Sequence, residues 1–261
     1  MKKCYVVGNP ISHSLSPKVF NYLFEQNNIN ACYSKFNAKN ENEFLEFIEK
    51  KDFYGLNITL PYKKNAYDIV IGSNNSLTIN SINCIKNNNG ILEGYNTDQY
   101  GFLQMIKNLN LNLNDYNFLI LGNGGAALTI THTLLNYSNN DILIWGRNKK
   151  NVEKFINEFS NHRVNFLKKN IDKPLIVINC ISINIDKESI NTILSNISLN
   201  NIKLFMDLNY VDTELSLKLK NDKIDVVLGI DMFIYQALKT FEIWFGKHNS
   251  SYNDIKRLLD K

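Results

Sequence analysis

The chain contains, near its middle, Phe118-Leu119-Ile120-Leu121-Gly122-Asn123-Gly124-Gly125-Ala126. Its four apolar residues predict a short buried strand, and a predicted helix follows the glycines and runs to about residue 136. Glycines between a strand and a helix let the backbone approach a pyrophosphate, which then sits on the free N–H groups of the helix N-terminus. A tight strand-to-helix turn would also need glycine, so the motif indicates a nucleotide site without establishing one.

Strand and helix signals alternate on both sides of this stretch, which is the pattern of an α/β protein. Downstream, the predicted strands are 141–145, 175–178, 204–206 and 226–228, and the predicted helices are 151–159, 188–197, 214–219, 232–245 and 252–259. This succession predicts a doubly wound mononucleotide-binding domain. Upstream, we predict strands at 4–7, 31–36 and 55–58 and helices at 41–50 and from Ser16, which would be an N-cap with Pro17 as the first helical residue.

The second strand of the predicted domain indicates which cofactor is bound. An NAD site usually has an acidic residue at the C-terminal end of this strand. Here that end reads Trp145-Gly146-Arg147-Asn148, and the nearest acid, Asp141, lies at the other end of the strand. Arg147 offers a planar cationic fork to a 2′-phosphate, which favours NADP over NAD. The alternative is an arginine exposed in a turn.

Polar residues that could act on a substrate occur in the first hundred residues. Ser14 and Ser16 lie at the start of a predicted helix, where hydroxyls and free N–H groups suit a carboxylate, although Ser16 could simply cap the helix. Lys63 follows a strand end, and a lysine in a cleft can protonate a ketone oxygen or stabilise an alkoxide. Asp98 could hold that lysine in place or accept a substrate hydroxyl, and Asn83 lies between apolar residues, where an asparagine is often purely structural.

Composition sets limits on the class of protein. The chain has 261 residues, 44% hydrophobic and 21% charged, with a net charge of +4 from scattered residues. This spread argues against nucleic-acid binding. No apolar run approaches the length of a membrane span, and the apolar N-terminal run is too short for a signal peptide. The four cysteines lack metal-site spacing, so we expect buried thiols in a cytoplasmic protein without a metal.

Several ordered segments together resemble the shikimate dehydrogenase family over essentially the whole chain. They are Gly-x-Pro-Ile-x-His-Ser-x-Ser-Pro at 8–17, Asn-x-Thr-x-Pro-x-Lys at 57–63, Asn-Thr-Asp at 96–98 with Gly101-Phe102, Gly-x-Gly-Gly-Ala at 122–126, Asp207-x-x-Tyr210, and Met232 with Gln236-Ala237 ahead of Phe241 and Trp244. The first two motifs are specific to this family and its close relatives.

The resemblance implies a role for each matched residue. Ser14, Ser16 and Tyr210 would hold a substrate carboxylate, and Lys63 and Asp98 would be the catalytic pair. The ring hydroxyls and the ketone would be met by the residues Thr59, Lys63, Asn83, Asp98 and Gln236. NADP(H) would be bound by Gly122, Asn123, Gly124, Gly125, Ala126, Gly146, Arg147, Asn148 and Gly229.

The resemblance also implies two domains, a substrate domain of residues 1–98 completed by helices in 232–261 and a Rossmann-type domain of 99–231. The implied reaction is the NADP-dependent reduction of 3-dehydroshikimate to shikimate, with hydride transfer at C3, by a monomer or homodimer. The alternatives are an NAD-linked quinate/shikimate dehydrogenase, which Arg147 argues against, and a catalytically silent paralogue that only binds shikimate-like ligands.

The chain departs from the family pattern at several positions. Phe20 replaces a histidine, Asn80 a glycine, and Gly146 an asparagine before the arginine. Near the third strand of the second half, Ile181 replaces a threonine and Asn184 a glycine, and Asp231 replaces a glycine before Met232. These changes leave the two catalytic residues in place but bear on cofactor affinity.

Overall fold

The computed structural model describes residues 1–70, 79–167, 173–181 and 186–260. They form two compact units, the first made of residues 1–104 and 233–261 and the second of residues 105–232. Within the described ranges, no helix has the length and apolar character needed to cross a membrane. Asn184, one of the departures from the family pattern, lies outside the described residues.

Strands and helices alternate along both units. The strands are β1 (Lys2–Gly8), β2 (Ala31–Asn37), β3 (Gly55–Ile58), β4 (Cys84–Asn88), β5 (Ile91–Tyr95), β6 (Asn117–Leu121), β7 (Ile142–Trp145), β8 (Val164–Phe166), β9 (Leu175–Asn179), β10 (Ile202–Asp207) and β11 (Val226–Leu228). The helices are α1 (Ser16–Gln26), α2 (Glu41–Glu49), α3 (Lys63–Val70), α4 (Thr97–Asn108), α5 (Gly125–Tyr137), α6 (Lys149–Asn157), α7 (Lys187–Asn196), α8 (Glu214–Asn221), α9 (Ile230–Phe245) and α10 (Tyr252–Leu259).

The first unit contains a five-stranded sheet in the order β2-β1-β3-β4-β5. Strands β2, β1 and β3 are parallel, and β4 is antiparallel to both β3 and β5. Strand β5 therefore runs in the same direction as β1 and β3. The C-terminal ends of β1, β3 and β5 and the beginning of β4 consequently lie along one edge of the sheet.

Helix α9 packs its C-terminal half against this sheet through Trp244. The indole is buried and its Nε1 donates to the carbonyl of Ile85 in β4 at 3.0 Å. Gly55 in β3 makes this possible, because a Cβ at that position would lie 2.4 Å from Trp244 Cε2. Phe20 from α1 and Tyr33 from β2 stack in parallel beside the indole, with ring centroids 4.5 Å apart. Helix α9 thus contributes the Trp244 side chain to the core of the first unit.

The second unit contains a six-stranded, fully parallel sheet in the order β11-β10-β9-β6-β7-β8. If β6 to β11 are numbered 1 to 6, the order from the β8 edge is 3-2-1-4-5-6, which is that of a doubly wound sheet. The topological switch point then lies between β6 and β9. Every residue of these two central strands is buried, which explains their nearly continuous apolar runs. The predicted α/β fold class is confirmed.

The structure corrects some of the predicted elements. Helices α3 and α4 and strands β4, β5 and β8 were not predicted. Helix α1 begins one residue earlier than expected, so Ser16 is its first residue and not its N-cap, which is Leu15 without a side-chain cap. Helix α6 begins at Lys149 and not at residue 151, because the Asn148 side chain accepts from Asn151 N–H and caps it. Cys4 and Cys84 are buried as expected, whereas Cys32 and Cys180 are only half-buried.

Candidate active site

Most of the polar residues predicted for the substrate site lie at one edge of the first unit's sheet. Thr59 and Lys63 follow β3, Asp98 follows β5, and Asn83 immediately precedes β4. Ser14 and Ser16 follow β1 at the same edge, and Gln236 belongs to α9. Parallel strand ends are where α/β sheets place their ligands, because the connecting loops there can each contribute a side chain.

Lys63 and Asp98 form an enclosed ion pair. Lys63 is the first residue of α3 and Asp98 the second residue of α4. The Lys63 Nζ lies 2.5 Å from Asp98 Oδ2, and the two side chains are only 15% and 10% exposed. A carboxylate in the first turn of a helix is also stabilised by the free N–H groups there. The arrangement holds a cationic proton donor at a fixed point of the sheet edge.

Asn83 connects this pair to the backbone of α4. Its Nδ2 donates to Asp98 Oδ1 at 2.8 Å, while its Oδ1 accepts from the Thr97 backbone N–H at 2.7 Å. Each oxygen of Asp98 therefore has its own donor. Because Thr97 N–H can only donate, it fixes which end of the Asn83 amide faces Asp98.

A second layer of buried polar side chains lies behind Asn83 and was not predicted as part of the site. Thr97 Oγ1 accepts from Asn83 Nδ2 at 2.9 Å and lies 3.3 Å from Gln236 Oε1 and 3.0 Å from Thr240 Oγ1. Asn57 continues the network towards Tyr33, whose hydroxyl donates to Asn57 Oδ1 at 2.7 Å. The spacing of Gln236 and Thr240, four residues apart on one helix, is the one sequence signal for this layer.

The residues after β1 differ from the prediction in one respect. Ser14, and not Ser16, satisfies a backbone group of α1, since Ser14 Oγ accepts from Ser16 N–H at 3.3 Å. The Ser14 hydroxyl proton is then directed elsewhere, which suits donation to a carboxylate. Thr59 lies directly against this segment, because a Cβ at Gly8 would lie 2.3 Å from Thr59 Cγ2.

The second unit carries the glycine-rich turn between β6 and α5. Gly122 has φ +109°, a conformation that favours glycine, and its N–H donates to the Trp145 carbonyl at 2.7 Å. Gly124 is the N-cap of α5 and gives it no side-chain cap. A Cβ at Gly124 would meet nothing within 4 Å, so the turn has open space beside Gly124. A glycine turn in front of a helix N-terminus is a shape that accepts a pyrophosphate, and Asn123, Gly125 and Ala126 belong to the same turn.

The residues after β7 have structural roles of their own. Gly146 packs closely on α6, since a Cβ there would lie 2.8 Å from Val152 Cγ2. The 70% exposed side chain of Arg147 lies 3.6 Å from Asp186 Oδ2. Hydrogen bonds from Ser189 hold the pKa of Asp186 below its usual range, and the Arg147 charge acts in the same direction. Asp186, the N-cap of α7, thus places a carboxylate beside the Arg147 guanidinium.

Two further predicted residues lie after β10 and β11. Tyr210 is half-buried in the second unit, shortly after Asp207, whose buried carboxylate accepts from Thr213 Oγ1 at 2.6 Å and from Asn179 Nδ2 at 3.1 Å. Gly229 allows a close backbone approach, because a Cβ there would lie 2.4 Å from the Leu208 carbonyl oxygen. Packing alone accounts for a glycine at 229.

Known proteins resemble the chain over nearly its full length. Residues 6–85 match the family model for the shikimate dehydrogenase substrate binding domain, and residues 104–211 match the model for shikimate / quinate 5-dehydrogenase. The NADP(+) shikimate dehydrogenase of Clostridium perfringens is 30% identical over 255 residues, covering 94% of this chain and 93% of that protein. The protein of that name from Nitrosopumilus maritimus is also 30% identical, covering 97% and 96%. The crystal structure of shikimate dehydrogenase from Aquifex aeolicus has a TM-score of 0.83 at 25% identity, covering 100% and 98% of the two chains.

Proposed function

The chain belongs to the shikimate dehydrogenase family, and on that basis we propose that it is an NADP-dependent oxidoreductase that interconverts 3-dehydroshikimate and shikimate. The observation that supports this most is the enclosed Lys63–Asp98 pair, with Asn83 on the second carboxylate oxygen. A protein that only bound shikimate would have no need of an ion pair held in this way. The pair therefore favours an enzyme over a catalytically silent paralogue.

The two catalytic residues act on the oxygen at C3. Bound NADPH supplies the hydride that reduces the C3 carbonyl. Lys63 has three N–H donors, of which one is directed at Asp98, so a second can donate to the carbonyl oxygen and stabilise or protonate the alkoxide. Asp98 keeps the ammonium in place and balances its charge. In the reverse direction Lys63, as the neutral amine, would accept the hydroxyl proton, and NADP, when bound, would take up the hydride from C3.

The other predicted residues would bind the substrate. Ser14, Ser16 and Tyr210 would hold the carboxylate, and Thr59 and Gln236 would meet ring hydroxyls. Asn83 could reach a hydroxyl only by sharing the amide hydrogens that it gives to Asp98 and Thr97. We therefore assign to Asn83 first the positioning of Asp98 and only second a contact with the ring.

Ser14→Ala is expected to raise the KM for shikimate about fivefold and to change kcat by less than twofold. The carboxylate keeps its charge during the reaction, so its binding is the same in the ground state and the transition state. A fivefold change corresponds to about 1 kcal/mol, the net contribution of one typical hydrogen bond. Steady-state kinetics measures both constants, and Thr133→Val, which removes a buried hydroxyl from α5, is the control. A fall in kcat at unchanged KM would contradict the assignment of Ser14.

NADP would lie across the second unit, with its pyrophosphate on Gly122–Ala126 and its adenosine ribose near Gly146, Arg147 and Asn148. The open space beside Gly124 and the positive φ of Gly122 fit a pyrophosphate on this turn. Asn148 is already the N-cap of α6, so its side chain is committed to the helix and its backbone would face the ribose. We retain Gly229 as a position where the backbone, and not a side chain, would approach the cofactor.

Arg147→Ala is expected to lower kcat/KM with NADP about tenfold and to leave kcat/KM with NAD nearly unchanged. A guanidinium–phosphate contact is a charge-assisted hydrogen bond. Because the Arg147 side chain is 70% exposed and Asp186 competes for it, we expect the loss of kcat/KM with NADP to lie at the low end for such contacts. The ratio of the two kcat/KM values measures it, and Lys154→Ala, which removes an exposed charge from α6, is the control. An equal fall with both cofactors would make Arg147 a turn residue and favour the NAD-linked alternative.

The decisive experiment is a spectrophotometric assay at 340 nm with shikimate or quinate, each paired with NADP or NAD. Turnover with shikimate and NADP well above the other three pairs supports the proposed function. Comparable turnover with quinate and NAD would replace it by the quinate/shikimate alternative. Shikimate binding by calorimetry without turnover in any pair would identify a binding protein.

A further inference from the structure

Thr240 lies one helical turn beyond Gln236 in α9 and is fully buried. Its hydroxyl oxygen is 3.0 Å from Thr97 Oγ1 and accepts from Asn57 Nδ2 at 3.4 Å. It also contacts the thiol of Cys84. The family motifs in the sequence did not include this residue, yet it touches three polar groups directly behind Asn83 and Gln236.

The direction of the hydrogen bond between the two threonines follows from their neighbours. Thr97 Oγ1 lies 3.3 Å from two amide oxygens that can only accept, Gln236 Oε1 and Asn83 Oδ1, so its proton points towards them. Asn83 Oδ1 already accepts from the Thr97 backbone N–H at 2.7 Å, so Gln236 Oε1 is the oxygen that depends on this proton. With its proton used in this way, Thr97 Oγ1 accepts from Asn83 Nδ2 and from Thr240, whose oxygen in turn accepts from Asn57 Nδ2.

This chain of donors determines the orientation of the Gln236 amide. If Thr97 donates to Gln236 Oε1, the amide NH2 group points away from the network and can donate to a substrate hydroxyl. Without the Thr240 proton, Thr97 loses one of its two donors, and its hydroxyl can rotate away from Gln236. Gln236 Oε1 would then keep only the long contact with Asn83 Nδ2 at 3.5 Å, and the amide could turn over.

We propose that Thr240 is a positioning residue of the substrate site, whose hydroxyl fixes, through Thr97, the face that Gln236 presents to the ligand. The proposal rests on the proposed function, because it takes Gln236 as a substrate contact. It goes beyond that function by assigning a role to a residue that cannot itself touch the reacting atoms. Lys63 and Asp98 stay paired without Thr240, so the effect belongs to binding and not to the chemical step.

The test compares Thr240→Val, which keeps the shape and removes the hydroxyl, with Thr240→Ser, which keeps the hydroxyl. Thr240→Val should raise the KM and the calorimetric Kd for shikimate about three- to tenfold, the range of one hydrogen bond, with kcat within twofold. Thr240→Ser should stay within twofold of the unmodified enzyme in all three constants. Thr133→Val, which removes an equally buried hydroxyl that donates to the Thr129 carbonyl, should change none of them.

Two outcomes would overturn the proposal: an unchanged Kd in Thr240→Val, or an equal loss of affinity in Thr240→Val and Thr240→Ser. Melting temperatures show whether each variant is folded, and Thr240→Ala replaces the valine variant if the latter does not fold. The unmodified enzyme separates this proposal from the proposed function. If the unmodified protein bound shikimate without turnover, the proposed function would be wrong but the Kd comparison for Thr240 would still be valid. If it did not bind shikimate at all, both the proposed function and the role of Thr240 would be wrong.

Discussion

Lys63→Ala should lower kcat for shikimate oxidation at least about 100-fold, because a positioned proton donor typically contributes 10²–10⁴ to the rate. The Lys63 ammonium is the one cation within bonding distance of Asp98 in the part of the chain that the structure describes, and its side chain is only 15% exposed. The affinity for shikimate should fall much less, because hydroxyl and amide groups hold the rest of the molecule. Single-turnover and steady-state rates, with a calorimetric Kd, separate these two effects.

The adjacent Lys64 provides the matched control. It is exposed on α3, so Lys64→Ala removes the same charge one residue away and should leave kcat within twofold. Lys63→Arg tests whether charge alone is sufficient, since a guanidinium cannot give up its proton near neutral pH. Folded Lys63→Ala enzyme that turns over at nearly the normal rate would rule out the assigned role of Lys63 and, with it, the proposed mechanism.

The second unit was the easier part to predict from the sequence. The central strands β6 and β9 are buried on both faces, so they appear as uninterrupted apolar runs, and the glycine turn after β6 adds a second, independent signal. The short edge strand β8 was missed because it has only three residues and two of them are exposed, so it shows no alternation of apolar and polar positions.

The hairpin β4–β5 was missed although the sequence does contain its signal. Asn89-Gly90 forms the two-residue turn, with φ of +52° and +90°, and Asn88 pairs with Ile91. Asn-Gly between two strands is the strongest short-range sign of a hairpin. Its consequence is functional, because pairing of Cys84 with Tyr95 brings Asn83 and Asp98 to the same end of the sheet.

Apart from the four-residue spacing of Gln236 and Thr240, the sequence carries no signal for the second layer of the site. Thr97 and Thr240 are 143 positions apart and meet only because α9 returns to the first unit. The same holds for Phe20, which departs from the family's histidine: it stacks on Tyr33, whose hydroxyl reaches Asn57 in the network. This departure is accommodated by aromatic packing. Contacts of this kind depend on tertiary structure, which a single sequence does not reveal.

Asp98→Asn should be nearly as damaging as the loss of Lys63, with kcat lowered about 100-fold, and it should also destabilise the fold. The two Asp98 oxygens accept from two different donors, Lys63 Nζ and Asn83 Nδ2. An asparagine has only one oxygen, so its NH2 group must face one of these donors. Asn83 cannot turn to relieve the conflict, because Thr97 N–H holds its oxygen.

The stability effect follows from the burial of the pair. Breaking a buried ion pair by removing one partner costs about 3–5 kcal/mol, and since both side chains here retain some exposure we expect about 2–3 kcal/mol in the free energy of unfolding. Urea denaturation measures this cost, and Asp68→Asn, a change elsewhere in the first unit, is the control. A variant with unchanged stability would show that the pair is weaker than its geometry indicates.

The donor conflict makes a sharper prediction for the double variant Asn83→Asp with Asp98→Asn. The new carboxylate at position 83 can accept from Thr97 N–H with one oxygen and from the new amide at position 98 with the other. The amide oxygen at 98 then accepts from Lys63, so the hydrogen bonds among positions 63, 83 and 98 each have a donor and an acceptor again. Thr97 Oγ1, which accepts from the Asn83 amide in the unmodified protein, can donate to the new carboxylate instead. We expect the double variant to be more stable than Asp98→Asn by about 1–2 kcal/mol, the usual coupling between residues in one hydrogen-bond network. Its kcat should stay low, because the carboxylate has moved from position 98, where it contacts Lys63, to position 83. If the double variant were less stable than Asp98→Asn, the lost charge and not the donor conflict would be the cause of the damage.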